Sequence, residues 1–298
     1  MSENKNSVRV RVPASSANLG PGFDCFGIAW QLYDNIEFSF GGSGLEISGC
    51  PEKYRNSENL AYQGFEAVRS ACGAQARPLK IDFLDSAIPV SRGLGSSAAL
   101  IAGGAVAANA LYGLKLSRQA LLDIVTPVEG HPDNLAPCLF GGFTASTMAG
   151  GKALTAPYPL SDKLHFTVLV PDFELSTHAS RAVLPESVPR VDAVFNVSRA
   201  ALLIKALELG EREMLAPCLE DKLHQPFRFA LIEGCDTALE LARKHDAWGM
   251  CISGAGSTLL CISGDVDFAD KLRPDIERAL PGWRVISVLP ESEGCAVI

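Results

Sequence analysis

The 298-residue sequence has no C-x-x-C pair; its nine cysteines are odd in number and stand singly from Cys25 to Cys295. That argues against a disulfide framework and against a zinc site, and the thiols read as reduced and mostly buried, as in a cytoplasmic protein. A basic stripe is also missing. With 26 Lys and Arg against 34 Asp and Glu, the net charge is -8 and the signs are mixed along the chain. Nothing there neutralises a phosphate backbone, so nucleic acid is not an expected partner. No apolar run reaches membrane length either. The longest, 98–114, is rich in glycine and alanine, is interrupted by Asn109, and falls short of the roughly 20 residues a span needs. It predicts a buried helix, and no membrane partner is expected. The opening MSENKNSVRVRVP is polar and lacks the apolar centre of a secretion signal, so export is not expected.

What is present has the composition of a soluble globular protein, 47% apolar and 20% charged, enough for one large core or two ordinary ones. Residues 8–12 alternate apolar and charged side chains like a half-buried strand, and Pro13 is expected to end it before a loop over 14–24. Further strands are predicted at 35–40, 79–84, 141–146, 164–170, 249–252, 259–262 and 283–289, and helices at 60–71, 97–111, 118–125, 191–209, 230–245 and 268–280. Segment 148–161 is rich in Gly, Pro and small residues and makes the best seam. The expectation is therefore two α+β units, 1–160 and 161–298, without internal repeats.

The stretch PVSRGLGSSAA at 89–99 sets two glycines and two serines at the entrance of the alanine-rich helix. The amides of a first helical turn have no internal partners and carry the positive end of the helix dipole, so a glycine-rich entry lets anionic oxygen approach them. A serine there adds a hydroxyl that caps the helix or ligates Mg²⁺. Gly93 to Ala98 also satisfies a G-x-G-x-x-A dinucleotide pattern, but no Asp or Glu occurs between residues 86 and 122 to hold a ribose. No G-x-x-x-x-G-K-[ST] occurs anywhere, which excludes a Walker A loop. Taken alone, the stretch is equally readable as a tight turn whose serines cap a helix.

Two other stretches accompany it in order: PASSANLGPGFD at 13–24 and SGAGST at 253–258. Together the three resemble the ordered motifs of the GHMP kinases, the superfamily of galactokinase, homoserine kinase, mevalonate kinase and phosphomevalonate kinase. The resemblance covers essentially the whole chain. EGHPDNLAPCLFGG at 129–142, with the 13–24 loop, is similar to the homoserine kinase branch in particular. It implies a ribosomal-protein S5 domain 2-like layer followed by a ferredoxin-like layer, with ATP and a small substrate between them. The implied reaction is ATP-dependent phosphorylation of the hydroxyl of L-homoserine to O-phospho-L-homoserine, a step of threonine biosynthesis. Another small metabolite such as mevalonate, or a non-catalytic nucleotide-binding regulator on the same fold, are the alternatives. Family members often form homodimers, and the resemblance leaves that arrangement open here.

Carried over by resemblance, Pro89, Val90, Ser91, Arg92, Gly93, Leu94, Gly95, Ser96, Ser97 and Ala98 form the phosphate loop. Ser97 and Glu129 would share Mg²⁺, with Asp123 as the alternative carboxylate because EGHPDN is compressed relative to many relatives. Several superfamily members place an aspartate before the Gly-Gly strand to take the substrate's proton; here Asn134 stands at that position. An amide is no base at neutral pH. Asn134 would therefore orient the hydroxyl, together with Asn18, while the γ-phosphate or a water accepts the proton. A zwitterionic amino acid needs an anion for its ammonium and a cation for its carboxylate. Asp24 is the expected anion, Arg181 and Arg228 are the expected carboxylate partners, and His131 is expected to face the substrate. The turn at 254–257 has Ala where many relatives have Ser and Ser where they have Pro, and it is expected to pack against the phosphate loop rather than do chemistry.

Overall fold

The structure is a computed structural model that describes residues 6–298; the first five residues of the polar opening lie outside the described residues. Strand β1 (Ser7–Ala17) does not stop at Pro13. Its ladder with β2 (Phe26–Phe40) shifts register just after Pro13, so the missing proline N–H falls at a bulge and the strand carries on. The expected loop thus shrinks to 18–25. β2 is 15 residues long where alternation indicated only its second half. Residues 26–30 are buried throughout, and a strand covered on both faces loses the two-residue period that reveals a strand.

The first layer continues with β3 (Leu45–Ser48), α1 (Leu60–Ala71), β4 (Leu79–Ser86), α2 (Ser96–Leu111), α3 (Arg118–Glu129), α4 (Leu135–Phe140), β5 (Phe143–Ala149) and β6 (Lys152–Tyr158). Asn59 caps α1 through its side chain, and Ser117 caps α3 as expected. The small residues of α2 let α1 come close: a Cβ at Gly104 would stand 1.9 Å from the Ala61 carbonyl oxygen. Helix α3 runs past the expected 125, through Pro127, to Glu129, and so delivers that carboxylate to the mouth of α2. The expected seam at 148–161 is mostly the hairpin between β5 and β6, turned at Gly150 and Gly151; its glycines mark a tip, not a break between layers.

The second layer comprises β7 (His165–Val170), α5 (Thr177–Ala182), α6 (Arg190–Leu209), α7 (Arg212–Cys218), α8 (Gln225–Arg228), α9 (Cys235–Lys244), β8 (Gly249–Ile252), β9 (Leu259–Ser263), α10 (Phe268–Ala279) and β10 (Arg284–Val288). Its four strands lie in the order β10-β7-β9-β8 with antiparallel neighbours throughout, the ferredoxin-like arrangement. The helix expected over 230–245 starts only at Cys235, because Gly234 adopts a left-handed conformation and a short 3₁₀ turn precedes it. After β10 the chain returns to the first sheet, where β11 (Ala296–Val297) pairs with β1 at Val10 and Arg11. The first sheet then reads β11-β1-β2-β4-β3, with β5 and β6 continuing from β2. Among the described residues no helix is long and apolar enough to cross a membrane.

Candidate active site

A cavity of about 450 Å³ lies where the two layers meet. One wall is the glycine corner. Gly93 has φ 78° and lies so close to the 253–258 turn that a Cβ there would stand 2.2 Å from the Ser253 carbonyl oxygen. Ser253 Oγ donates to the Gly93 carbonyl at 2.6 Å, and the Thr258 amide donates to the Arg92 carbonyl at 3.1 Å. The turn therefore braces the corner, as the sequence suggested. Arg92 does the same from the other side, donating to the carbonyls of Val90 (2.9 Å), Pro171 (3.1 Å) and Asp172 (2.6 Å). Gly95 is the cap of α2 and no side chain accepts from the helix's first amides, which leaves them for an anion. Of the ten loop residues, Val90 to Gly93 and Gly95 to Ser97 line the cavity. Pro89, Leu94 and Ala98 do not: their side chains are buried in the core beneath.

Ser97 Oγ donates to Glu129 Oε2 at 2.5 Å, and both residues line the cavity. Burial pushes the Glu129 carboxyl above its usual range, and the Ser97 bond opposes that shift. Asp123 is elsewhere, accepting from Gln119 Nε2 (3.0 Å) and the Ala153 amide (3.2 Å) beside the β6 hairpin. Glu129 is thus the carboxylate brought to Ser97. A hydroxyl and one carboxylate suit Mg²⁺, which usually takes one or two protein oxygens and fills its octahedron with phosphate and water. No group of three or more His, Cys, Asp or Glu able to hold a metal occurs among the described residues, so a dedicated all-protein cage is not on offer.

At the far end, Asn18 and Asp24 both have positive φ, 59° and 53°, which these two residue types tolerate. Asn18 Nδ2 donates to the Gly254 carbonyl at 2.9 Å, and its Oδ1 accepts the Asp24 amide at 2.8 Å. Asn18 lines the cavity as well as holding the loop, and its Nδ2 keeps a second N–H beyond the one given to Gly254. Arg181 lines the cavity and grips Asp24 at two points, Nη1 to Oδ2 at 3.0 Å and Nη2 to Oδ1 at 2.6 Å. Asp24 and Arg228 are not among the lining residues. Arg228 is buried behind Arg181, whereas the Asp24 side chain is about as open to solvent as that of Arg181; the Phe23 ring lies against both guanidinium groups at 5.4 Å and 5.0 Å. Arg228 is 1% exposed; burial, and then the neighbouring charge of Arg181, pull its pKa down to about 10. It stays charged at neutral pH.

Between these ends lie His131 and Asn134, both lining the cavity. His131 Nδ1 contacts Asp133 Oδ1, and that contact raises the imidazole pKa. Asn134 Oδ1 accepts from Ser15 Oγ at 2.9 Å, so its Nδ2 is the end left to donate. The remaining wall, which no motif announced, is apolar: Cys50, Pro51, Tyr54, Leu60, Phe83 and Ile88. Asp34 joins it, accepting the Ile88 amide at 3.0 Å, with its pKa pushed up to about 6 by burial. The apolar residues come from a loop and short turn (Cys50, Pro51, Tyr54), the start of α1 (Leu60), β4 (Phe83) and the loop after it (Ile88), without shared spacing, and only the folded chain collects them.

A family model described as GHMP kinases N terminal domain matches residues 59–142, and one described as GHMP kinases C terminal matches residues 198–280. The chain is 40% identical over 292 residues to a homoserine kinase of Clostridium botulinum, covering 97% of this chain and 98% of that protein. A crystal structure of homoserine kinase from Cytophaga hutchinsonii superposes with a TM-score of 0.88 at 26% identity, over 100% of this chain and 99% of the other. Mevalonate kinase of L. major, solved with R-mevalonate, shares the fold with a TM-score of 0.72 at 15% identity, over 97% and 96% of the two chains.

Proposed function

The chain belongs to the GHMP kinase family and, within it, to the homoserine kinases, and from that premise we infer that it transfers the γ-phosphoryl group of ATP to the hydroxyl of L-homoserine. The product is O-phospho-L-homoserine. The observation that carries this reading is the two-point pair of Asp24 and Arg181 at the edge of the cavity that Ser97 and Glu129 line. An amino acid offers each of these charges an opposite one; mevalonate, with a carboxylate and no ammonium, offers Asp24 nothing.

ATP is read with its base in the apolar end, among Tyr54, Phe83 and Ile88, and its terminal phosphates at the α2 amides. Ser97 Oγ and Glu129 would hold Mg²⁺, which when bound offsets the negative charge of the β- and γ-phosphates. Homoserine enters with its ammonium on Asp24 and its carboxylate shared by Arg181 and Arg228, whose Nη2 makes none of the protein hydrogen bonds that engage its Nε and Nη1. Entry exchanges the Asp24–Arg181 contact for two contacts to substrate, so both charges are in place before it arrives. Asn134 and His131 then hold the side-chain hydroxyl toward the γ-phosphorus. The new O–P bond forms as the β,γ bridging bond breaks, ADP leaves with the electron pair, and the hydroxyl proton passes to the phosphoryl oxygens or to water. Catalysis on this reading is positioning and charge stabilisation, with no protein base. The nine free thiols support a cytoplasmic enzyme, and we read the chain as two units dividing near residue 160, with the tail returned to the first.

A coupled ADP-release assay over homoserine, mevalonate, shikimate and galactose tests the assignment. Turnover of homoserine alone is expected; turnover of mevalonate without homoserine would overturn it.

A further inference from the structure

His224 is 0% exposed and lies behind the substrate end of the cleft, stacked on Phe23 with ring centroids 5.2 Å apart. Its two nitrogens face partners of fixed character. Nε2 is 2.8 Å from the Gly20 carbonyl oxygen, which only accepts, and Nδ1 is 3.3 Å from Arg228 Nη1, which only donates. Only the neutral ring with its proton on Nε2 satisfies both. We propose that His224, as this tautomer, is a positioning residue that ties the Gly20 end of the substrate loop to Arg228 and so sets the spacing of the charges that receive the amino acid.

The surroundings hold the ring in that state. Burial lowers its pKa below the ordinary 6.5. The Asp221 carboxylate stands 3.6 Å from Nε2, but it accepts from the amides of Leu223 (2.9 Å), His224 (2.9 Å) and Gln225 (2.6 Å) and from Asn196 Nδ2 (2.6 Å). Its charge still favours an imidazolium, but less than burial opposes one. Arg228 on α8 opposes a second positive charge, and Asp24 on the substrate loop favours one. Arg181 on α5 adds to the positive side through Arg228, while Cys251 on β8, which burial pushes up to about 12, stays neutral. A proton on Nδ1 would point at a guanidinium and break the tie.

This inference rests on the reading of Arg228 as a carboxylate partner, and the tests separate the two. His224→Phe keeps the ring stack on Phe23 and removes both hydrogen bonds; homoserine KM should rise about tenfold or more with ATP KM within about twofold. His224→Gln restores a donor for Gly20 without a titrating group, and should recover part of the loss. Lowering the pH below 6.5 should raise the wild-type homoserine KM through a component that the Gln variant lacks. His131, whose pKa is raised, titrates on the other side and remains in both. An unchanged homoserine KM in the Phe variant, a parallel rise in ATP KM, or an acid rise in homoserine KM that is the same in the wild type and the Gln variant would overturn the proposal. Should neither variant fold, ¹⁵N spectra of histidine-labelled wild-type protein decide: a proton on Nε2 is expected, and a proton on Nδ1 contradicts it. Absence of homoserine turnover by a wild type with the Nε2 proton would overturn the site's reading instead.

Discussion

The Asp24 carboxylate and the Arg181 guanidinium meet head-on, Nη1 on Oδ2 at 3.0 Å and Nη2 on Oδ1 at 2.6 Å, joining residues 157 positions apart. One comes from the loop after β1 and the other from α5, so the pair spans the two layers at the edge of the cavity. A zwitterion that slips between them meets opposite charges already aimed, which lowers the cost of ordering the site on binding.

Asp24→Asn keeps the shape and removes the charge. It should lower kcat/KM for homoserine by roughly 30- to 150-fold, the loss of about 2–3 kcal/mol typical of a charge-assisted hydrogen bond. Steady-state kinetics at saturating ATP measure this, and ATP KM should stay within about twofold.

Ser97→Ala removes the hydroxyl that meets Glu129 at 2.5 Å. Homoserine KM should hardly change, while the Mg²⁺ concentration for half-maximal rate should rise by about tenfold. A Mg²⁺ titration checks it, and the reverse pattern would remove Ser97 from the metal's ligands.

Gly93→Ala asks a side chain to occupy φ 78° with its Cβ 2.2 Å from the Ser253 carbonyl oxygen. The turn and the glycine corner must part. A loss of about 2–4 kcal/mol in unfolding free energy is expected, with nucleotide binding weakened more than homoserine binding; denaturant melts and ATP titration read both.

Asp34 is 3% exposed and its carboxyl is pushed up to about 6 from an ordinary 3.8. Because the folded value lies above the unfolded one, its favourable contribution is complete below 3.8 and is lost as pH rises through 6. Asp34→Asn should therefore raise the melting temperature relative to wild type at about pH 8 by roughly 2–6 °C, and much less at about pH 4. A uniform shift at both pH values would contradict the burial account.

Much of this architecture was legible because local rules and tertiary context agree. The helix at 60–71 and the strands at 249–252 and 259–262 follow their periods, and the glycine corner stands at the mouth of α2. Failures came where context overrode the local signal. Pro13 reads as a stop, yet a bulge absorbs its missing N–H; residues 26–30 hide a strand because both faces are covered. In the site, Ser97 with Glu129 and Asp24 with Arg181 fell together, whereas Arg228 proved to be buried behind the cleft. His224 went unremarked, although its place four residues before Arg228, one helical turn away, was a usable sign. The apolar wall from Cys50 to Ile88 left no trace, since its residues are drawn from a loop, a helix start and a strand that share no common spacing.

The central claim is that Asp24 receives a substrate ammonium. Comparing kcat/KM for L-homoserine and 4-hydroxybutyrate, its des-amino counterpart, in the wild type and in Asp24→Asn tests it most directly. The wild type should prefer homoserine by at least about 30-fold, and the preference should nearly vanish in the variant. Equal use of both compounds by the wild type, or a preference that survives the substitution intact, would contradict the account.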